Sequence, residues 1–209
     1  MYPMRTLVID TATAACSVAL LDGEAVVARV HEVVGRGHAE RLVPMIADLP
    51  DGGRCDRILV DCGPGSFTGL RVGLAAARAL ALGWSVPVSG YSSLALVAAT
   101  AAAVRPGSLL LAAVLEGGHG ELFMQRFATQ PLTPSGYLAS LRPEAALAAL
   151  DGAPAIGSGA GALLALDPGL DAADALPDAA EAWRLPPALA SLPPRPIYGR
   201  APDAKPKAV

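Results

Sequence analysis

One stretch constrains this chain more than any other: Gly63-Pro64-Gly65-Ser66-Phe67-Thr68-Gly69-Leu70-Arg71-Val72-Gly73. It follows the apolar run Ile58-Leu59-Val60 and precedes an alanine-rich run from Leu74 to Leu82. Strand, glycine turn and helix in that order form one α/β unit, around which the rest must fold. The first N–H groups of such a helix have no partner within it and attract anions. Glycines also leave room for another backbone to come close. The loop therefore either cradles a ligand or shapes a packing surface. A phosphate loop ends in Gly-Lys-Ser/Thr, and Leu70-Arg71 stands here instead. The residues favour a tight turn, Ser66 or Thr68 capping the helix, and a surface for a partner. Arg71, one turn in, can meet a partner's acidic group or a carboxylate of its own chain.

Around this unit the chain reads as two rounds of α/β structure. Thr6–Ile9, Cys16–Leu21 and Ala25–Val30 are strands, the last two joined by the hairpin signal Asp22-Gly23. His38–Leu49 carries a helical apolar stripe interrupted by Pro44, which marks a first turn or a kink. Arg57–Val60 is the fourth strand, and the helix after the glycine loop runs to about Gly83. Val86-Pro87-Val88 reads as the fifth strand, and Ser92 or Ser93 caps a helix to about Val104. Pro106-Gly107 is the best lobe boundary, giving lobes 1–105 and 106–209. The second lobe opens with a strand at Leu109–Leu115, the turn Glu116-Gly117-Gly118 and a strand at Glu121–Phe127. A helix at Pro143–Leu150, a strand at Ala153–Ile156 and a helix at Asp178–Leu192, interrupted by Pro186-Pro187, follow. From Pro193 the chain is Pro-rich and reads as extended.

Composition excludes several functions. Residues 1–104 hold 8 basic and 9 acidic side chains and residues 105–209 hold 8 and 10, so neither half offers a basic surface for nucleic acid. The only lysines are Lys205 and Lys207, which leaves no lysine in the body as a phosphate clamp. His31, His38 and His119 are too far apart for a helical metal pair. Cys16, Cys55 and Cys62 lack CxxC spacing and read as reduced, buried thiols of a cytoplasmic protein. Met1–Cys16 loosely matches a lipoprotein signal, but Asp10 interrupts its short apolar run. Ala79–Val104 is charge-free, yet Gly83, Pro87 and Gly90 break it, so it reads as helix, strand, helix in a core.

Four segments together resemble the TsaB (YeaZ) family of tRNA threonylcarbamoyladenosine biosynthesis. They are Leu7–Ala12 with Ala15–Leu20, His38-Ala39-Glu40 with Leu42 and Pro44, the Gly63–Gly73 loop, and Pro196-Ile197-Tyr198 with Arg200. The resemblance implies an α/β, actin-like ATPase (ASKHA) fold: two lobes of mixed sheet flanked by helices, the second reduced. It implies a non-catalytic subunit that supports a TsaD-like catalytic paralogue, with a TsaE-like ATPase in the same complex. On this reading tRNA is reached only through the complex, the protein is cytoplasmic with no membrane contact, and the isolated chain forms a homodimer through the same helices. The catalytic paralogue carries a His-x-x-x-His metal site after its fifth strand, where this chain reads Ser89-Gly90-Tyr91-Ser92-Ser93-Leu94. No catalytic residue, metal or cofactor is therefore expected of this chain alone, and ATP or ADP only in the complex. One departure stands out: Leu115–Phe123 lacks the basic residue of the family's second-lobe turn.

The expected partner interface is His38, Leu42, Arg71, Val72, Ala75, Ala76 and Ala79, since small residues let helices approach closely. Were nucleotide to touch the chain, Asp10, Gly65, Ser66 and Thr68 are placed to meet it. Asp10 stands where a kinase of this fold carries a catalytic carboxylate, and here reads as capping the hairpin beside Thr11 and Thr13. His38 reads as an exposed histidine at a helix start, Glu40 as a first-turn acid and His119 as a loop residue. Glu116 and Glu121 have no base nearby, and Trp84 and Trp183 read as core. The alternative is an independent metal- or nucleotide-dependent transferase, or a glycoprotease-like peptidase, of the same fold.

Overall fold

The computed structural model describes residues 4–199 of the chain. Arg200, Lys205 and Lys207 lie outside these residues. The first sheet is built from β1 (Arg5–Asp10), β2 (Ala15–Asp22), β3 (Ala25–Val33), β4 (Arg57–Asp61) and β5 (Val88–Tyr91), in the order β3-β2-β1-β4-β5. The first three strands form an antiparallel meander, and β4 and β5 run parallel to β1. Parallel neighbours need crossover helices, which α1 (His38–Ala47) and α2 (Phe67–Trp84) supply. The fifth strand begins at Val88 rather than Val86, because Pro87 has no N–H to give the ladder and only its carbonyl joins, accepting from Ile58.

The second sheet repeats this order. It contains β6 (Leu110–Glu116), β7 (Leu122–Thr129), β8 (Leu132–Pro134), β10 (Ala155–Ile156) and β11 (Ala172–Ala173), ordered β11-β10-β6-β7-β8, with β9 (Ala139–Leu141) also paired to β7. Again three strands form a meander and two follow in parallel. The crossovers shrink to α4 (Pro143–Ala149) and α5 (Ala160–Leu164). Strands of two or three residues carry no periodicity, so β8, β9 and β11 leave no sequence signal.

Alternate residues of each strand point to opposite faces, and the core follows this parity. Leu7, Ile9, Val18, Ile58 and Val60 meet α1 and α2 on the outer side of the first sheet. Val8, Ala19 and Leu59 point inward, toward α3 (Ser93–Val104) and the inner face of the second sheet, Leu111, Ala113 and Phe127. Ala112, Val114, Leu122 and Leu163 form the outer core under α4 and α5. The layers run helix, sheet, helix, sheet, helix. Buried between two sheets, α3 is apolar on every side, which accounts for the charge-free run. The helix expected over 178–192 is instead a 3-10 turn, Ala179–Arg184, because two consecutive prolines at 186 and 187 cannot continue a helical ladder. Its Asp178 cap accepts from Ala180 N at 3.0 Å, and Arg29 binds the same carboxylate at 2.9 Å. This fold is the actin-like ATPase fold.

Candidate functional site

The glycine loop leaves β4 and enters α2. Ser66 is the cap, its Oγ accepting from Gly69 N at 3.2 Å. Its own N–H donates to the Ala12 carbonyl at 2.6 Å, and Thr11 Oγ1 donates to the Gly69 carbonyl at 2.8 Å. A β-carbon at Gly65 would overlap the Ala12 carbonyl, one at Gly69 the Thr11 carbonyl, and one at Gly73 the Thr11 hydroxyl. The three glycines thus admit the β1–β2 turn, and the chain's own Thr11-Ala12 backbone occupies the ground above them. The second lobe uses the same device. Gly157 and Gly159, ahead of α5, leave no room for a β-carbon beside Val114 of β6.

Beneath the loop lie two carboxyls. Ile9 and Val60 are register partners in the parallel β1–β4 pair, so Asp10 and Asp61 are the next neighbours, both fully buried. Tyr91 donates to Asp10 Oδ2 at 2.8 Å. Asp61 Oδ1 accepts from Gly63 N at 2.8 Å and from Ser93 Oγ at 2.8 Å. Burial raises the Asp10 carboxyl well above the usual range and the Asp61 charge raises it further, while Tyr91 and the Ala12 amide pull the other way. Burial pushes Asp61 up to about 6 against the donors from Gly63 and Ser93. Asp10 points inward and acts on the hairpin turn through the Ala12 amide, and Thr13 also caps the turn, accepting from Ala15 N at 3.3 Å.

Two residues expected at the surface are buried. His38 is buried, and its Nε2 lies 3.1 Å from the Ala15 carbonyl. Leu42 is fully buried beneath α1. Neither presents a side chain to a partner. Arg71, Ala75 and Ala79 are exposed, and Val72 and Ala76 are half-buried at the margin of the same α2 face. That face is wider than the small residues alone. Phe67 is 56% and Leu82 84% exposed, and Val43 of the adjacent α1 is 64% exposed. The Arg71 guanidinium stacks 3.3 Å above the Phe67 ring, so its neighbour is neither of the acids considered. Tyr198 completes the cluster, its ring 6.2 Å from Phe67.

Tyr198 arrives by a route that sequence reasoning missed. Residues 192–199 cross from the second lobe and strap onto the first. Gly90 and Leu192 exchange backbone bonds at 2.7 and 2.9 Å, Ile197 N donates to the Cys62 carbonyl at 2.7 Å, and Arg78 donates to the Pro194 carbonyl at 2.6 Å. Gly90 is small where the strap and Cys62 Sγ converge. These anchors are mainly backbone groups, which any sequence provides, so only the Pro-rich extended reading foreshadowed them. Elsewhere, Glu121 accepts from Ser140 Oγ at 2.7 Å, and His119 sits exposed in the β6–β7 turn with φ 62°. Among the described residues, no group of three or more His, Cys, Asp or Glu side chains is arranged to hold a metal ion. Among them also, no helix is long and apolar enough to cross a membrane.

Two sheets of the same 3-2-1-4-5 order, each with a glycine turn filled by its own backbone, define a two-lobed protein of the actin-like ATPase fold. The family model for TsaD, tRNA N6-adenosine threonylcarbamoyltransferase, matches residues 29–132. The chain is 38% identical over 129 residues to the tRNA threonylcarbamoyladenosine biosynthesis protein TsaB of Escherichia coli K12, covering 59% of this chain and 55% of that protein. It is 35% identical over 103 residues to the TsaB of Bacillus subtilis, 44% of whose length is covered. The match thus spans about half the length of these curated relatives. The solved structure of YeaZ from Pseudomonas aeruginosa superposes with a TM-score of 0.74 at 33% identity, covering 87% of this chain and 90% of that one. The chain belongs to the TsaB (YeaZ) family.

Proposed function

We propose that this protein is a non-catalytic subunit of the machinery that makes threonylcarbamoyladenosine in tRNA, and that it acts by binding a TsaD-type catalytic paralogue. The observation that carries this reading is the open face of α2. Phe67, Arg71, Ala75, Ala79 and Leu82 line one side of a helix whose other side, Leu70, Gly73, Leu74, Ala77 and Ala81, is buried. Small residues flanked by exposed apolar ones suit close packing against another helix, and arginine and aromatics are the residue types that anchor interfaces. The glycine loop supports the same reading, because its room is taken by Thr11 and Ala12 and its role is to set the angle at which α2 leaves the sheet. The chain needs no nucleotide or metal of its own on this account, its contact with tRNA is through the complex, and it works in the cytoplasm. The same face serves a homodimer when the paralogue is absent, and a TsaE-like ATPase joins the assembly.

The test is reconstitution of tRNA threonylcarbamoylation with the catalytic paralogue, with and without this chain, alongside size-exclusion of the mixture. The expected result is modification that depends on the chain and a heteromeric peak that replaces the homodimer. Full modification without the chain, or no association with the paralogue, overturns the proposal. The alternative of an independent enzyme would require stoichiometric metal or micromolar ATP binding by the isolated chain.

A further inference from the structure

The Asp10–Asp61 pair plays no part in the proposed partner binding, and it is chemically unusual. Both carboxyls are sealed between the sheet and α3. Two carboxylates side by side in such a place repel each other and forgo hydration, and neither cost is offset unless a cation or a proton is present. The influences on the pair come from Tyr91 of β5, the Ser93 hydroxyl at the start of α3, the amides of Ala12 and Gly63, and each carboxyl on the other; none is basic. The thiols of Cys16 on β2 and Cys62 beside β4 feel the pair's charge without supplying a counter-charge.

Hydrogen-bond supply divides the two acids. Asp61 is surrounded by donors: Gly63 N at 2.8 Å on Oδ1, and Ser93 Oγ at 2.8 and 2.9 Å on its two oxygens. That is the environment of a carboxylate. Asp10 is less well supplied: Tyr91 donates to Oδ2 at 2.8 Å and the Ala12 amide also acts on the carboxyl, while its buried Oδ1 has no hydrogen-bond partner. An acceptor left without a donor in a dry site is costly. A proton on Oδ1 turns it into a donor, with Asp61 the neighbouring acceptor.

We propose that Asp10 and Asp61 fold as a pair sharing one proton, Asp10 as the acid and Asp61 as the carboxylate, so that the chain takes a proton from water when it folds at neutral pH. That proton fastens the ends of β1 and β4 together directly below the residues that launch α2. In the unfolded chain both acids ionise near pH ~3.9. A folded state that keeps one more proton than the unfolded one loses stability as pH rises through the interval where the difference persists. The folding equilibrium constant then falls about tenfold per pH unit for this one proton.

The experiment compares chemical unfolding of the full chain and of D10N between pH 5 and 9. An Asn amide at position 10 can still accept from Tyr91 and donate to Asp61, and it cannot ionise. The expected result is that the wild-type slope exceeds that of D10N by about one proton at neutral pH, and that D10N gains stability over wild type as pH rises. Parallel slopes overturn the proposal. If D10N does not fold, the infrared spectrum of the wild-type protein decides. A protonated-carboxyl stretch at pH 7 that shifts in D2O is expected, and its absence in the folded protein overturns the proposal.

Discussion

Gly69 lies against Thr11 so closely that the Thr11 carbonyl oxygen occupies the place where a β-carbon at Gly69 would be, and Thr11 Oγ1 donates back to the Gly69 carbonyl at 2.8 Å. Helix and hairpin are locked there backbone to backbone. Gly69→Ala must separate them, at a cost of about 3 kcal/mol or more. Gly83 lies on the same helix, and a methyl group there would meet nothing within 4 Å, so Gly83→Ala is expected to gain about 0.5–1 kcal/mol through helix propensity alone. Thermal denaturation of the two variants gives opposite signs.

The strap predicts a local effect. A methyl group at Gly90 meets Cys62 Sγ and, at 3.1 Å, the Pro193 carbonyl, so Gly90→Ala pushes residues 192–197 off the sheet edge. The Leu192 and Ile197 amides, bonded to Gly90 and Cys62, should exchange roughly tenfold faster while β1 amides stay protected. Hydrogen exchange resolved by residue reads this directly.

The three thiols should differ in reactivity. Burial pushes Cys16 up to about 11 and Cys62 up to about 12, which removes the reactive thiolate at neutral pH. Cys55 is also raised, yet it is partly exposed. Maleimide labelling of the native protein at pH 8 is expected at Cys55 alone, with Cys16 and Cys62 labelled only after unfolding.

The α2 face can be tested without disturbing the fold. Ala79 is exposed, and Arg is a good helix former, so Ala79→Arg should change stability by no more than about 0.5 kcal/mol. A partner helix packed on Ala79 would have to bury an unpaired charge, and binding of the paralogue should weaken roughly tenfold or more. Ala76 is half-buried against the core, so an Arg there mixes folding with binding and makes the poorer probe. Calorimetry of binding alongside thermal denaturation separates the two effects.

How far the chain could be read from its residues depended on what held each feature in place. Side-chain pattern was enough for β1, β2, β4, α2 and α3, and it narrowed the cap of α2 to Ser66 or Thr68, of which the structure has Ser66. Leu7-Val8-Ile9-Asp10 and Ile58-Leu59-Val60-Asp61 each place an acid after three apolar residues, and two parallel strands of that form set their acids side by side. That repeat was present, but it becomes a signal only once the strands are known to be neighbours. The burial of His38 left no trace, because the histidine answers to a main-chain carbonyl of β2 rather than to another side chain.

The strap has a consequence in time as well as in space. Residues 192–199 lie more than a hundred residues beyond β5, whose edge they cover, and Tyr198 joins Phe67 and Arg71 on the α2 face. On the ribosome, a nascent chain stopped anywhere before residue 192 has a first lobe with its edge uncovered and its aromatic cluster unfinished. The surface proposed for the partner is therefore completed only once residue 198 has been made, and translation order itself keeps a chain stopped after β5 from docking with the whole of that surface.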